Sequence, residues 1–296
     1  MNLMLNKLLA ISICLLLTAS LAAAAPSQGG LSAAQIVDKN VTARGGLQAW
    51  RAVQTLSLEG KLGAGGNQRA TLALPTPTPK QLPSALPKRR AEEAQLPFLM
   101  ELKRSRKVRL ELQFAGKTAI QVYDGKNGWK LRPFLNRTEV EPFSAEETKI
   151  ASMQSDLDGP LVDYVAKGSS VDLDGLEKVE GRDTYKLKIT QSSGHTFHVW
   201  VDAETFLETK IEGQPKALDG TEHPVEVYYR DYRTVDGLRI PFVLETRVLR
   251  VAENALGLRD SPVPPEKIVI DKVTVNPKLD ESLFSKLVVP TASKGK

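Results

Sequence analysis

The sequence predicts a mainly β protein built on a curved antiparallel sheet, with helices that cover its concave face. Three observations support this prediction: apolar and polar residues alternate in many short segments, turn dipeptides separate those segments, and the central helical pattern has strand patterns on both sides. Strict alternation is typical of half-buried antiparallel strands. Because a sheet of so many sequential strands tends to curl, we expect a half-open β-barrel.

The first 24 residues have the pattern of an export signal. Lys7 provides the positive charge, Leu8–Leu17 the apolar core, and Ala22–Ala24 a small-residue cleavage site. No later apolar run approaches the roughly 20 residues of a membrane-spanning helix. Since Cys14 is the only cysteine, the mature domain, residues 25–296, would contain neither a disulfide nor a cysteine metal site. We therefore expect an exported protein that does not span the membrane.

The charge of the chain argues against a role in nucleic-acid binding. The formal net charge is +5 over 296 residues, and Lys7 is the only charged residue of the predicted signal. Basic and acidic residues are interspersed along the mature chain, without the sustained basic stripe that such binding requires.

The mature chain should begin with a helix and then change to strands. Ala33–Trp50 begins with an apolar helical face, Ser32 is a suitable N-cap, and Gly45–Gly46 would end the helix. From Val53 the apolar period is two, which predicts a first strand ending in a turn at residues 63–66.

Residues 75–97 form an unusual segment with six prolines. This density of proline favours extended backbone over an inner strand and predicts an inserted loop. Two interpretations are open: a mobile insertion, or a contact site for a partner or membrane.

Strand patterns resume at Phe98 and continue to Leu131, separated by hairpin signals such as Asp124–Gly125 and Asn127–Gly128. Further alternating segments follow the central helix: Tyr185–Thr190, Phe197–Val201, Leu207–Glu212, Val225–Tyr232, Leu238–Arg250 and Lys267–Val275.

The central segment Phe143–Lys167 predicts a capped, amphipathic helix. Ser144 and Glu147 have the spacing of a capping box. Pro160 would begin a second short helix. The predicted apolar face, which would pack on the sheet, consists of Ile150, Met153, Leu157, Leu161 and Val165. This element could be an ordinary covering helix or a movable lid over a ligand cavity.

No residue pattern predicts catalysis, a metal or a cofactor. His195 and His198 lie three apart on a predicted strand and would point to opposite faces, so we interpret the histidines, including His223, as surface residues. Two carboxylate pairs are interpreted as capping or solvated groups: Asp156 with Asp158, and Asp172 with Asp174. We therefore expect a binding protein and no enzyme.

A curved sheet covered by an amphipathic helix can enclose an apolar cavity for a hydrophobic ligand. Each candidate for its lining could instead be plain core. The candidates are Trp129, Phe134, Ile150, Met153, Leu157, Leu161 and Trp200.

Short motifs along the mature chain carry a resemblance to a known family. They are Lys103–Arg109, Val122-Tyr123-Asp124-Gly125, Leu161-Val162-Asp163-Tyr164, Glu180-Gly181-Arg182, Val201-Asp202-Ala203-Glu204-Thr205, Val235–Pro241 and Val275-Asn276-Pro277. The sequence resembles the periplasmic outer-membrane lipoprotein-sorting (LolA-like) superfamily over nearly the whole mature chain.

The resemblance implies a periplasmic carrier of lipid or of the acyl chains of lipoproteins, with inner- or outer-membrane proteins as further candidate partners. It also implies that Arg104 holds the closed lid, although Ser105 stands where the family pattern has proline. The alternative is an envelope interaction or stress-sensing module of the same fold that transports no ligand.

Overall fold

The structure, a computed structural model, describes residues 30–65, 93–133, 137–218, 221–249 and 265–288. The predicted signal at residues 1–24, Phe134 and most of the proline-rich insertion lie outside these ranges.

The described chain is dominated by one curved, open sheet of thirteen antiparallel strands, which confirms the predicted fold class. The strand order is β6-β5-β4-β3-β2-β1-β15-β14-β13-β10-β9-β8-β7, and β11 pairs with β12 in a small second sheet. The strands are β1 Thr55–Gly65, β2 Glu93–Lys103, β3 Lys107–Phe114, β4 Lys117–Tyr123, β5 Gly128–Arg132, β6 Arg137–Pro142, β7 Ser170–Val179, β8 Arg182–Thr190, β9 Thr196–Asp202, β10 Glu208–Glu212, β11 Lys216–Leu218, β12 Thr221–His223, β13 Val225–Val235, β14 Leu238–Val248 and β15 Glu266–Val275.

Strand register assigns each side chain to one of two faces of the sheet. Leu58 in β1 lies opposite Met100 in β2, which lies opposite Leu110 in β3. We call the face that carries these three side chains the inner face, and the opposite face the outer face. Gly60 also lies on the inner face, at a bulge in the pairing with β15, and its missing Cβ leaves room for the ring of Phe98.

The first two strands extend further than the sequence predicted. β1 continues through Gly65, beyond the start of the predicted turn at residues 63–66, and β2 begins at Glu93, five residues before Phe98. β2 therefore includes Pro97, the last residue of the predicted insertion. Proline is tolerated there because the pairing of β2 with β3 begins only at Phe98, opposite Leu112.

The N-terminal helices agree with the predicted capping pattern. Helix α1 spans Ala33–Ala43, and Ser32 forms a capping box with Gln35. Gly45 has a φ of 115°, a left-handed conformation that suits glycine at the end of a helix. A short helix α2, Leu47–Ala52, follows.

The central helix is shorter and less buried than predicted. Helix α3 spans Ala145–Gln154 and has the predicted capping box of Ser144 and Glu147, but none of its residues is buried. The chain leaves the helix before Leu157, and it forms turns after Pro160, so the second helix is absent from this described segment. The predicted five-residue apolar face is therefore wrong.

The side chains of that predicted face have different environments. Leu161 is fully buried although it lies in a turn, and Val165 is 70 % exposed. Leu157 is half-buried in the segment that follows α3. Burial in this region is thus concentrated after the helix, in irregular backbone.

Among the described helices, none has both the length and the apolar character required to cross a membrane.

Candidate functional site

An apolar surface lies on the inner face across five adjacent strands, β3, β2, β1, β15 and β14. Each of its side chains is half-buried, so apolar area remains accessible between the described elements. The register places these side chains in neighbouring rows. We call it the inner apolar surface, and it consists of Leu58, Leu62, Leu96, Met100, Leu110, Leu112, Leu244 and Ile268.

In β8 and β9, four side chains on this same inner face of the sheet are fully buried. Leu187, Ile189, Val199 and Val201 lie on one face of this strand pair and are all 0 % exposed. The sheet thus has a solid core at β8 and β9 and an accessible apolar region around β1 and β2. Accessible apolar side chains on a curved sheet are typical of a site for a hydrophobic ligand.

Helix α3 lies on the inner face over β4 and β5. Lys130 of β5 forms an ion pair with Glu147 of α3, at 2.5 Å. The ring of Phe143 occupies the space where Gly128 would carry a Cβ. Because Lys130 is opposite Gln121, which is opposite Leu110, these contacts place α3 on the face that carries the inner apolar surface.

Residues 155–168, which follow α3, form a segment that we call the covering segment. Asp158 of this segment is 1 % exposed and pairs with Arg104 at 2.7 Å. Arg104 also donates to the carbonyl oxygens of Val53 and Trp50, at 2.8 and 2.7 Å. Arg104 therefore connects the covering segment to the β2–β3 turn and to the end of α2.

Lys167 folds back inside the covering segment. Its ammonium group contacts Asp158 at 2.6 Å and Asp156 at 2.8 Å, and it donates to the carbonyl oxygen of Gly159. These contacts close the irregular chain between Asp156 and Lys167 into a compact loop. The assignment of this carboxylate pair to capping and solvation is therefore wrong, because both carboxylates form ion pairs.

A third cation connects the covering segment to the second half of the sheet. Arg44, at the end of α1, donates to the carbonyl oxygen of Asp158 at 2.8 Å and pairs with Glu208 of β10 at 3.2 Å. Tyr232 donates to the same carboxylate at 3.2 Å. We call Arg44, Arg104, Asp156, Asp158, Lys167 and Glu208 the ionic cluster. It joins α1, the β2–β3 turn, the covering segment and β10.

The two carboxyl groups of the covering segment differ in their proton affinity. Burial raises the pKa of Asp156 to about 6, and the neighbouring Lys167 only partly opposes this effect. Burial also acts to raise the pKa of Asp158, but a hydrogen bond with Asp156 and the charges of Lys167 and Arg104 outweigh it, so this pKa is lowered. Of these two carboxyl groups, Asp158 therefore keeps its negative charge to lower pH than Asp156.

A cavity of about 400 Å³ lies beside the ionic cluster. It is formed by the β2–β3 turn, the end of α3, the covering segment and the β8–β9 turn. Five cationic side chains and one carboxylate line it, so we call it the basic cavity. Its charged residues are Lys103, Arg104, Arg106, Lys149, Lys167 and Asp156.

The predicted ligand-binding residues do not form one lining. Arg104, Met153 and Leu157 line the basic cavity. Ile150 is half-buried on α3, Leu161 is fully buried in the covering segment, and Phe134 lies outside the described ranges.

The two tryptophans that were predicted to line the ligand cavity lie on the outer face. Trp129 is opposite Val122, which is opposite Arg109, one position out of phase with Leu110. Trp200 is 4 % exposed, and the Lys210 ammonium lies 4.0 Å from its ring centroid. Alternation along a strand predicts that consecutive side chains point to opposite faces of the sheet, but it does not show which of the two faces is the inner one. The two tryptophans therefore cannot share a cavity with the inner apolar surface.

The histidines have three different environments. His195 lines the basic cavity, and His198 contacts Glu212 at 2.9 Å. His223 is 5 % exposed, so its assignment to the surface is wrong. The part of the chain that the structure describes contains no cluster of three or more residues suited to a metal ion.

The sequence reasoning missed Arg44, Glu208 and the strand residues of the inner apolar surface. Arg44 and Glu208 are 164 positions apart along the chain, and Arg104 and Asp158 are 54 apart, so local spacing carries no signal for these two pairs. In β1, β2 and β3, the alternation of apolar with polar residues did indicate an apolar face, and the inner apolar surface lies on that face.

Comparison with solved structures identifies the fold. A LolA superfamily protein from Nitrosomonas europaea matches with a TM-score of 0.52 and 11 % identity, over 87 % of this chain and 99 % of the other. A DUF1329 family protein from Desulfovibrio piger matches at 0.49 and 15 %, over 84 % and 95 %. A domain described as an outer membrane lipoprotein-sorting protein from Vibrio parahaemolyticus matches at 0.47 and 10 %, over 86 % and 96 %.

No protein-family profile matches the chain, and no curated protein matches it in sequence. The assignment therefore rests on three-dimensional likeness to the Nitrosomonas protein, which covers nearly all of that structure, and on the continuous antiparallel sheet. The chain has a LolA-like fold.

Proposed function

We propose that this protein is an exported, periplasmic binding protein that carries a hydrophobic ligand, a lipid or the acyl chains of a lipoprotein, on its inner face. The observation that supports this proposal is the inner apolar surface, whose eight side chains are half-buried and occupy adjacent positions on five strands. The LolA-like fold agrees with such a role. Further partners would be the membrane proteins that deliver or accept the ligand.

The physical basis for binding is the removal of apolar area from water. Each methylene group of an acyl chain contributes about 0.8 kcal/mol when it is buried. Burial of ten methylenes would contribute about 8 kcal/mol before the cost of association is subtracted. A single acyl chain on this surface could therefore bind with a favourable free energy without any charged contact.

The ionic cluster gives the carrier a means of closing over its ligand. It attaches the covering segment to the β2–β3 turn through Arg104 and to β10 through Arg44 and Glu208. In this proposal, release of the cluster would let the covering segment and α3 move away from the inner face. The role that the family resemblance assigns to Arg104 agrees with these contacts.

The proposal can be tested by native mass spectrometry and lipid extraction on protein purified from a periplasmic fraction without detergent. We expect co-purified acyl species on the wild-type protein. Met100→Gln should remove most of them, because it places a polar group of similar length at the centre of the inner apolar surface. Leu176→Gln is the matched control, since Leu176 is 71 % exposed in the edge strand β7.

Two results would contradict the proposal. One is a wild-type protein that carries no acyl species and does not bind added fluorescent fatty acid. The other is equal loss of ligand in Met100→Gln and Leu176→Gln, which would show that the position on the inner face is irrelevant.

A further inference from the structure

The basic cavity combines an excess of positive charge with several hydroxyl groups. Among the described residues that line it, Asp156 is the only carboxylate, against five cationic side chains. Hydroxyl groups come from three parts of the chain: Ser105 in the β2–β3 turn, Ser152 and Ser155 at the end of α3, and Ser169, Ser192 and Ser193 near the β8–β9 turn. Cations and hydroxyl groups that converge from separate elements can bind an anion with several oxygens.

Three of the five cations have anionic partners within the protein. Arg104 and Lys167 pair with Asp158, and Lys103 pairs with Glu281 at 2.7 Å. These contacts neutralise much of the charge on that side of the cavity. They also fix the positions of the three cations.

The other two cations, Arg106 and Lys149, have no carboxylate partner among the described residues. Arg106 donates one hydrogen bond to the carbonyl oxygen of Ser152, at 2.8 Å. This bond holds the guanidinium beside the end of α3 and leaves its other donors available. Both side chains are exposed at the rim of the cavity. An anion in the cavity would thus meet two positive charges that have not been neutralised.

The position of the basic cavity suits the polar end of an amphiphile. The β2–β3 turn begins at Arg104, four residues after Met100, which corresponds to about 13 Å along the strand. The remaining walls include the apolar side chains of Met153, Leu157 and Pro160. A cavity of about 400 Å³ has room for more than a bare phosphate group.

We propose that the basic cavity binds the phosphate monoester group of an anionic amphiphile, with Arg106 and Lys149 as its principal contacts. The acyl chain of the same molecule would lie along the inner apolar surface. This inference rests on the proposed function for the acyl chain, and it adds the chemical class of the head group.

The test uses two amphiphiles that differ only in the phosphate, 1-lauroyl lysophosphatidic acid and 1-monolauroylglycerol. Both are titrated by calorimetry below their critical micelle concentrations, and glycerol 3-phosphate is titrated separately. We expect the phosphate to increase the affinity of the wild-type protein at least tenfold. The double variant Arg106→Gln with Lys149→Gln should lose this preference but bind monolauroylglycerol with unchanged affinity.

The double variant Lys61→Gln with Lys188→Gln is the matched control. Both lysines are exposed on strands outside the cavity, and the change in net charge is the same. This control should keep the preference for phosphate. Equal loss of preference in both double variants would overturn the proposed contacts, because the effect would then come from net charge alone.

The remaining outcomes separate this inference from the proposed function. Equal wild-type affinity for the two amphiphiles would overturn the phosphate site and leave the carrier function supported. Binding of glycerol 3-phosphate alone, dependent on Arg106 and Lys149, would support the phosphate site with a soluble source and contradict the carrier function. Absence of binding by all three compounds would contradict both.

Discussion

Replacement of Asp158 by asparagine should release the covering segment from the rest of the protein. The Asp158 side chain is 2 % exposed, and its carboxylate pairs with Arg104 at 2.7 Å and with Lys167 at 2.6 Å. The asparagine side chain has nearly the same shape as that of aspartate, so the change removes charge without leaving a large cavity. It would leave two cations facing a neutral amide.

The expected loss of stability lies between two limiting cases. Breaking a fully buried ion pair costs about 3–5 kcal/mol, and an exposed pair contributes about 0–1 kcal/mol. Arg104 and Lys167 are 31 % and 26 % exposed and keep other partners, among them Asp156 and the carbonyl oxygen of Trp50. We therefore expect a loss of about 2–3 kcal/mol, which corresponds to about 5–10 °C in Tm.

Urea unfolding measures the global loss, and hydrogen exchange of residues 155–168 measures local opening. The matched control is Asp174→Asn, because Asp174 is 45 % exposed and pairs with Lys186 at 3.2 Å. The control should lose less than about 1 kcal/mol. If Asp158→Asn were no less stable than Asp174→Asn, with unchanged exchange in the covering segment, the ionic cluster would not hold that segment.

Two further predictions concern the pH dependence of stability and the bulge of β1 at Gly60. Because the pKa of Asp156 is raised to about 6, the folded protein binds a proton between pH 6 and pH 4 that the unfolded chain does not. This residue should therefore add up to about 3 kcal/mol of stability as the pH falls through that window, and Asp156→Asn should flatten the profile in urea unfolding. Gly60→Ala should cost about 3 kcal/mol, because its Cβ would lie 2.1 Å from the carbonyl oxygen of Val269. Gly30→Ala, where a Cβ meets nothing within 4 Å, should be neutral in the same assay; equal losses in the two variants would contradict the steric argument.

Much of the fold could be predicted from local signals in the sequence. The N-cap role of Ser32 and the capping box of Ser144 were identified because each depends on residues only a few positions apart. The antiparallel sheet was predicted because apolar period and turn dipeptides are local, and the order of most strands follows the order of the chain. The pairing of β1 with β15 joins the first and the last described strand of the chain, and no local signal in the sequence predicts it.

The prediction for the central segment failed for a physical reason. Ile150, Met153, Leu157 and Leu161 have helical spacing, but the helix ends at Gln154. The chain then turns, and the side chain of Asp158 forms its ion pairs with Arg104 and Lys167. Tertiary contacts of this kind can override helical periodicity. Arg104 lies 54 positions from Asp158 in the chain, so no local pattern reveals this pair.

The predicted ligand-binding residues stay a prediction, but the structure shows where each described one lies. The resemblance to the LolA-like superfamily led to Arg104, and the structure places its guanidinium on the covering segment. Strand alternation alone could not decide which face would be covered, so Trp129 and Trp200 were assigned to the cavity although they lie on the outer face. The residues Leu58, Met100 and Leu110 become candidates only when the register shows them side by side.

The central claim is that the inner apolar surface holds an acyl chain, and photolabelling tests it most directly. Palmitate with a diazirine near its methyl end would be irradiated with the protein, and labelled residues would be located by mass spectrometry. We predict saturable labelling of β1, β2 and β3 at inner-face residues such as Leu58, Met100 and Leu110, and loss of this labelling in Met100→Gln. Labelling concentrated on the outer face around Trp200, or labelling that unlabelled palmitate does not displace, would contradict the account.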